Sequence, residues 1–176
     1  MNEIEIKVLE INKKQVLKRL KKLRAKKIFS GLLQATYFDF PNHSLRKHSK
    51  VLRLRKNGNQ SFLTFKTKLP LKKSISSNEL EFEIPDFSLA QTMLEGLGFK
   101  PVFSYQKKRE SYRFGKVRIE LDKYLGKFSK IPLYLEIEAH SEKDLFAAFQ
   151  KLGFSKKQGK PWHTHKLFQY YGLPVS

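Results

Sequence analysis

The sequence predicts an α+β fold in which an antiparallel sheet curls around a charged channel, with helices on its outside. Three observations predict it. Several segments alternate strictly between apolar and charged residues, as in Glu3-Ile4-Glu5-Ile6-Lys7-Val8, the pattern of a strand with one buried face. Tight-turn signals at Asn57-Gly58 and at Gly115 each join two such segments, which makes those neighbours antiparallel. The charged faces carry like signs in rows, and stacked like charges repel unless opposite charge lies between them.

Residues 2–9 open the chain as a strand. Asn12 is placed to cap a helix, with Gln15 three residues later as in a capping box, and Val16, Leu17, Leu20 and Leu23 give that helix one apolar stripe. Its remaining positions, from Lys13 to Lys27, are mostly Lys and Arg and read as a solvated face. Residues 32–41 form a strand ending at Pro41. A hairpin around Asn57-Gly58 follows, then a polar loop, "LPLKKSISSN", and a strand at 79–84 closed by Pro85-Asp86. Residues 88–97 form a short helix stopped by Gly98, and a second hairpin turns at Gly115. A strand at 132–139, a helix capped by Ser141 and ended by Gly153, and a last helix from Thr164 to Tyr171 complete the chain.

With 176 residues and no linker or break in composition, the chain is expected to form one domain over residues 1–176. It has no Cys, which excludes disulfides and thiolate metal sites. No apolar run approaches the roughly 18 residues of a membrane span, and no signal-peptide pattern is visible, so a cytoplasmic protein with no membrane contact is expected. Its 36 Lys and Arg against 16 Asp and Glu leave a formal charge of +20. Such a surplus favours polyanionic partners.

Residues two apart on a strand share a face. Parity therefore groups Glu3, Glu5 and Lys7, then Arg53 with Arg55, and Lys66 with Thr64. It also groups Glu79, Glu81 and Glu83, then Lys107 with Arg109, then Arg118, Glu120 and Asp122, and finally Glu136 with Glu138. A flat sheet with one solvated face would mix Thr, Ser, Gln and Lys there. A curled sheet lets the bases grip a polyphosphate, Arg through planar bidentate contacts and Lys as a point charge. The grouped carboxylates suit a hard divalent cation.

These residues resemble the CYTH family, the triphosphate tunnel metalloenzymes, which includes class IV adenylyl cyclases, thiamine triphosphatases and inorganic triphosphatases. The resemblance rests on Glu3-Ile4-Glu5-Ile6-Lys7 as an N-terminal ExExK strand. In order, "YFD" (37–39), "LRLRK" (52–56), "LTFK" (63–66), "ELEFEI" (79–84), "KKR" (107–109), "IELD" (119–122) and "YLEIE" (134–138) follow it. It spans nearly the whole chain. It implies an eight-stranded antiparallel β-barrel, a tunnel with helices packed outside, that binds a triphosphate-bearing small molecule with Mg²⁺ or Mn²⁺. By position, Lys7, Arg53, Arg55, Lys66, Lys107, Arg109 and Arg118 would grip phosphates, with parity favouring Lys107 over Lys108. Glu3, Glu5, Asp122, Glu136 and Glu138 would hold the metal or orient its waters, with Glu5 and Glu138 first and Glu81 in second rank. Glu5, Lys7, Arg53 and Arg55 would form the catalytic set. One departure stands out. Cyclase-like relatives often have a basic residue just before the ExExE strand (here Glu79, Glu81 and Glu83), where this chain has Ser76, Ser77 and Asn78, with Lys72 and Lys73 nearby.

The expected activity is hydrolysis of the terminal phosphate of an inorganic or organic triphosphate. The alternatives are a class IV adenylyl cyclase, making cyclic AMP and pyrophosphate from ATP, and a module that only binds polyphosphate or nucleic acid. Against nucleic acid stands the absence of stacked aromatics on an open sheet. The resemblance is compatible with a homodimer. His163 and His165 read as surface or capping groups, and Trp162 as packing for the last helix.

Overall fold

The computed structural model describes residues 2–69 and 75–174, with side chains described for 4–68 and 77–174. Its strands are β1 (Asn2–Val8), β2 (Lys26–Asp39), β3 (Lys50–Asn57), β4 (Gln60–Leu69), β5 (Ile75–Ile84), β6 (Lys100–Phe114), β7 (Val117–Tyr124), β8 (Tyr134–Ala139) and β9 (Gly159–Lys160). The helices are α1 (Lys13–Lys22), α2 (Ser44–Lys47), α3 (Phe87–Gly96), α4 (Glu142–Lys151) and α5 (Thr164–Tyr170). The strand order is β5-β4-β3-β2-β6-β7-β8-β1, with β9 beside β1, and every pairing is antiparallel. β1 also pairs with β5, from Asn2 opposite Asn78 to Glu5 opposite Ile75. The sheet thus returns on itself, and the eight expected strands form the curled sheet of a tunnel. The two-residue β9 is a ninth strand that the sequence did not announce, since two residues carry no readable period.

Two boundaries differ from expectation. α1 stops at Lys22, and Arg24 takes a left-handed turn (φ 54°) into β2, which starts at Lys26 and not at residue 32. The early start lets β2 run beside β6 from Lys26 opposite Arg113 to Asp39 opposite Lys100. Such long-range pairing overrides the helical propensity of a Lys-rich segment. Likewise 75–78, expected as loop, belong to β5, because closure needs backbone groups there to bond both β1 and β4. The polar "SISSN" hides this, as no apolar face marks it. Lys72 and Lys73 lie outside the described residues.

The caps at Asn12 and Ser141 are as expected, and Asp86, read only as part of a strand end, caps α3 as well. Asn12, Asp86 and Ser141 each accept a bond from the backbone N–H three residues on. α1 buries Val16 and Leu20 and leaves Lys13, Lys14, Lys18, Lys21 and Lys22 in solvent. With α4 (Leu145, Phe149) it covers the outer, apolar face of β1, β7 and β8. α3 covers β3 through Leu94 against Leu52 and Leu54. No helix of the described residues is long and apolar enough to cross a membrane.

A third cluster lies on the inward face. Tyr105, Tyr124 and Tyr134 share strand parity with the charged residues, yet they pack with Phe128, Ile131, Leu167 and Phe168. The Phe168 ring stands edge-on to Phe103, Tyr124 and Phe128, with centroids 5.3, 4.9 and 4.6 Å away. α5 therefore stoppers one end of the tunnel with aromatics. Phe168→Ala is expected to cost about 3–5 kcal/mol, the range for a buried aromatic truncation. Urea unfolding checks this as a lower midpoint at unchanged slope.

Candidate active site

Alternation along β1 and β3 to β8 sends one charged set inward, and the cavity it lines has a volume of about 850 Å³. Lys7, Arg53, Arg55, Lys66, Lys107, Arg109 and Arg118 all reach it, as do Glu5, Glu79, Glu81, Glu136 and Glu138. Lys7, Arg53, Arg55, Lys107, Arg109, Glu136 and Glu138 are all buried, at 2 to 9% exposed. Isolated charges do not survive such burial. These survive because the rows of opposite sign interleave.

Three groups can be separated. In the first, the Lys7 ammonium bridges Glu5 (2.8 Å) and Glu136 (2.6 Å). Burial works against its charge, but Glu136 and Glu5 together hold Lys7 protonated far above the usual lysine range. Glu138 lies across β1 from Glu5 in the strand register and 3.6 Å from Arg118, which is partly exposed. In the second, Asp122 accepts from Lys107 Nζ (2.5 Å) and from Arg109 Nε and Nη2 (2.7 and 2.6 Å). Arg109 also reaches Glu120 and, at 3.4 Å, Glu136. Burial opposes ionisation of Asp122 and Glu136. Arg109 and Lys107 beside Asp122, and Lys7, Lys107 and Arg109 beside Glu136, overrule it and hold both carboxyls below the ordinary range.

In the third group, Arg55 forks onto both oxygens of Glu81 (2.7 and 2.8 Å), and Thr64 Oγ1 donates to Glu81 (2.6 Å). Arg53 stands 3.5 Å from both Glu79 and Glu81, and Lys66 is 2.5 Å from Glu79. Arg53 and Arg55 each keep a buried Nε–H with no acceptor among the described residues. A buried donor left unpaired costs about 1–3 kcal/mol, so both are set to receive an incoming anionic oxygen.

Oxygens of Glu5, Glu136 and Glu138 lie within 4.8 Å of one another, and so do those of Glu120, Asp122 and Glu136. The first trio fits a hard divalent cation by donor chemistry, since all its ligands are carboxylate oxygens. In the second, Arg109 and Lys107 pair with the carboxylates, as Lys7 pairs with Glu5 and Glu136 in the first. Of the residues put forward from sequence for metal, Glu5, Glu136 and Glu138 therefore stand together. Asp122 stands apart from Glu5 and Glu138, and the Glu3 side chain lies outside the described residues. Sequence reasoning passed over Glu120, although parity set it between Arg118 and Asp122. It also passed over Tyr37 and Tyr105, whose hydroxyls are 3.5 Å apart on the cavity wall. His163 and His165, read as surface or capping groups, line the same cavity, with His163 at the N-cap position of α5. Trp162 packs on Tyr170 with centroids 4.9 Å apart, as expected.

The family model described as the CYTH domain matches residues 1–161. A Methanocaldococcus jannaschii protein named "putative adenylate cyclase" is 32% identical over 138 residues, 78% of this chain and 77% of that protein. A solved Pyrococcus horikoshii structure covers 94% of this chain and 98% of its own, with 28% identity and a TM-score of 0.77. A structure from Hippeastrum, described as a "putative adenylyl cyclase" with a dominant triphosphatase activity, has the same fold (TM-score 0.70, 18% identity, 99% and 97% of the two chains).

Proposed function

The chain belongs to the CYTH domain family, and from that premise we propose that it is a divalent-metal-dependent enzyme that hydrolyses the terminal phosphate of a triphosphate. One observation carries the reading. Buried guanidinium groups with unpaired Nε–H donors, on Arg53 and Arg55, share a cavity with the carboxylate trio Glu5, Glu136 and Glu138. A surface that binds anions needs only the first. A surface that binds a metal needs only the second. Both together suit a phosphate chain carrying its own cation.

Glu5, Glu136 and Glu138 would hold Mg²⁺ or Mn²⁺, which when bound neutralises charge on the phosphate oxygens and acidifies water. Arg53 and Arg55 hold the non-bridging oxygens through the donors they leave unpaired. Lys7, Lys107 and Arg109 place fixed positive charge where negative charge grows as the leaving pyrophosphate separates. Asp122 and Glu120 keep Lys107 and Arg109 in position, and Glu5 and Glu136 keep Lys7. A water oxygen attacks the terminal phosphorus, the bridging P–O bond breaks, and orthophosphate and pyrophosphate leave with one proton passed to solvent. The aromatic stopper around Phe168 closes one end of the tunnel and limits the water that can enter there.

A second reading has its own observation. Tyr37, Phe103 and Tyr105 present rings on the cavity wall, where a nucleobase can stack, and the archaeal relative carries a cyclase name. In that reading the ribose 3′-hydroxyl of ATP attacks the α-phosphorus, and cyclic AMP and pyrophosphate form. A panel of inorganic triphosphate, ATP, GTP and thiamine triphosphate with Mg²⁺ and Mn²⁺ separates the two. Orthophosphate released fastest from inorganic triphosphate is the expected outcome. Cyclic AMP as the main product from ATP replaces hydrolysis with cyclisation, and no metal-dependent turnover of any member removes both.

A further inference from the structure

The outside of the tunnel carries an apolar face that nothing covers. On α3, Leu89, Met93 and Leu97 are each more than half exposed, and so are Leu80 and Phe82 on the outward side of β5. α3 buries Leu94 and packs Phe87 and Ala90 against the core beside it. Residues 89, 93 and 97 are spaced by four and form a second apolar row along the same helix. Between α3 and β5 lies β4, with Phe65 opposite Leu80 and Leu63 opposite Phe82, and both of these β4 residues reach the α3 cluster. β5 and β6 run the same way, four antiparallel pairings apart, and α3 connects them. A right-handed crossover, the sense nearly all such connections take, turns the 89–93–97 row toward β5. Helix and strand then share one apolar surface, and contiguous surface of that kind marks a place where something docks.

Charge says what docks there. Residues 74–99 are the longest run in the chain with neither Lys nor Arg, in a protein whose formal net charge is +20. Glu79 and Glu81 of that run face the cavity, and the helix itself carries only Asp86 at its N-cap and Glu95, both exposed. Two copies brought together through α1, with Lys14, Lys18 and Lys22 exposed, would set cation against cation. Through α3 they meet without that repulsion.

The row is also complementary to itself. A two-fold axis through Met93 runs two α3 helices antiparallel, sets Leu89 of each copy against Leu97 of the other, and aligns their dipoles head to tail. The same axis carries Asp86, at the start of α3, to Lys100 of the other copy, just past its end, because 86 and 100 are equally far from 93. Both side chains are exposed and of opposite sign.

We propose that a second copy of the chain docks on this face, in an isologous dimer with α3 against α3 and Leu80 and Phe82 beside it. The proposal does not depend on the hydrolytic reading.

The test is sedimentation equilibrium of the full-length protein at micromolar concentrations, beside Met93→Glu and the α1 control Lys18→Glu. The wild type and Lys18→Glu are expected to sediment as two chains. Met93→Glu is expected to raise the dissociation constant at least about a hundredfold, because like charges then face each other across the axis. Its thermal melt should be unchanged when the melt is taken at a dilution where the wild type is also a monomer, since Glu suits an exposed helix position. The chain has no Cys, so single cysteines read the register. Under mild oxidation Met93→Cys should cross-link to its own copy, and Lys18→Cys should not. Leu89→Cys should cross-link to Leu97→Cys when the two are mixed, and not to itself. A wild type that stays a monomer overturns the proposal, as does a dimer that Met93→Glu leaves intact. Lys18→Cys cross-linking as fast as Met93→Cys, or Leu89→Cys linking to itself, also overturns it. A monomer that floats with zwitterionic lipid vesicles, and loses this in Met93→Glu, would give the face to lipid and overturn it equally.

Discussion

Glu138→Gln is expected to lower metal-dependent turnover at least about a hundredfold, the scale on which ligands and charge-stabilising groups act, and to leave the fold intact. Glu138 is 8% exposed, stands opposite Glu5 in the β1–β8 register and shares with Glu5 and Glu136 a space a cation can span. Amide for carboxylate keeps the shape and removes one negative charge and one hard anionic ligand. The backbone has little reason to respond. The neighbouring Ile137 points the other way into the core, and the Arg118 side chain beside Glu138, 44% exposed, can turn to water. The readout is turnover against Mg²⁺ and Mn²⁺ concentration, with a thermal melt as the control. A loss of rate with a higher metal requirement and an unchanged melt is the expected result. Wild-type turnover at the wild-type metal requirement would remove the carboxylate trio from the chemistry.

Much of this site was legible because a strand has a period of two. Once Ile4, Ile6 and Val8 were assigned to the core, Glu5 and Lys7 had to face the other way, and the same step preferred Lys107, which is buried, to Lys108, which is exposed. Parity says which face a residue takes but not how far along the tunnel it sits. That is why Tyr105, Tyr124 and Tyr134, on the charged face, were not seen as its aromatic stopper. Nor does parity tell that Asp122 clusters with Glu120 and Glu136 while Glu5 and Glu138 form a trio with the same Glu136. Register sets Asp122 opposite Tyr134 and Arg109, while Glu138 lies opposite Arg118. Only the pairing of strands distant in sequence supplies that information. The cavity lining by His163 and His165 depends on α5 crossing back to α2, a contact with no local signature.

The same register makes Asp122 the residue whose loss should cost the most stability. It is fully buried, and its two oxygens take the charges of Lys107 and Arg109, themselves 4 and 5% exposed. Taking out one partner of a buried ionic group leaves charge without compensation, typically at about 3–5 kcal/mol. Asp122→Ala is expected to lose that much, and Asp122→Asn most of it, because the shape stays and the charge goes. The effect should depend on pH with a definite sign. The Asp122 and Glu136 carboxyls are held below their ordinary range when folded, so the unfolded chain binds more protons as acid is added. Their contribution is complete above the unfolded carboxylate pKa of about 4 and is lost as pH falls below it. The wild-type urea midpoint should therefore drop steeply below that pH, and the midpoint of Asp122→Asn, already low at neutral pH, should drop less. Equal midpoints for wild type and Asp122→Asn at neutral pH would mean that Glu120 and Glu136 alone hold Arg109 and Lys107. The cationic wall of Lys107 and Arg109 would then not depend on Asp122.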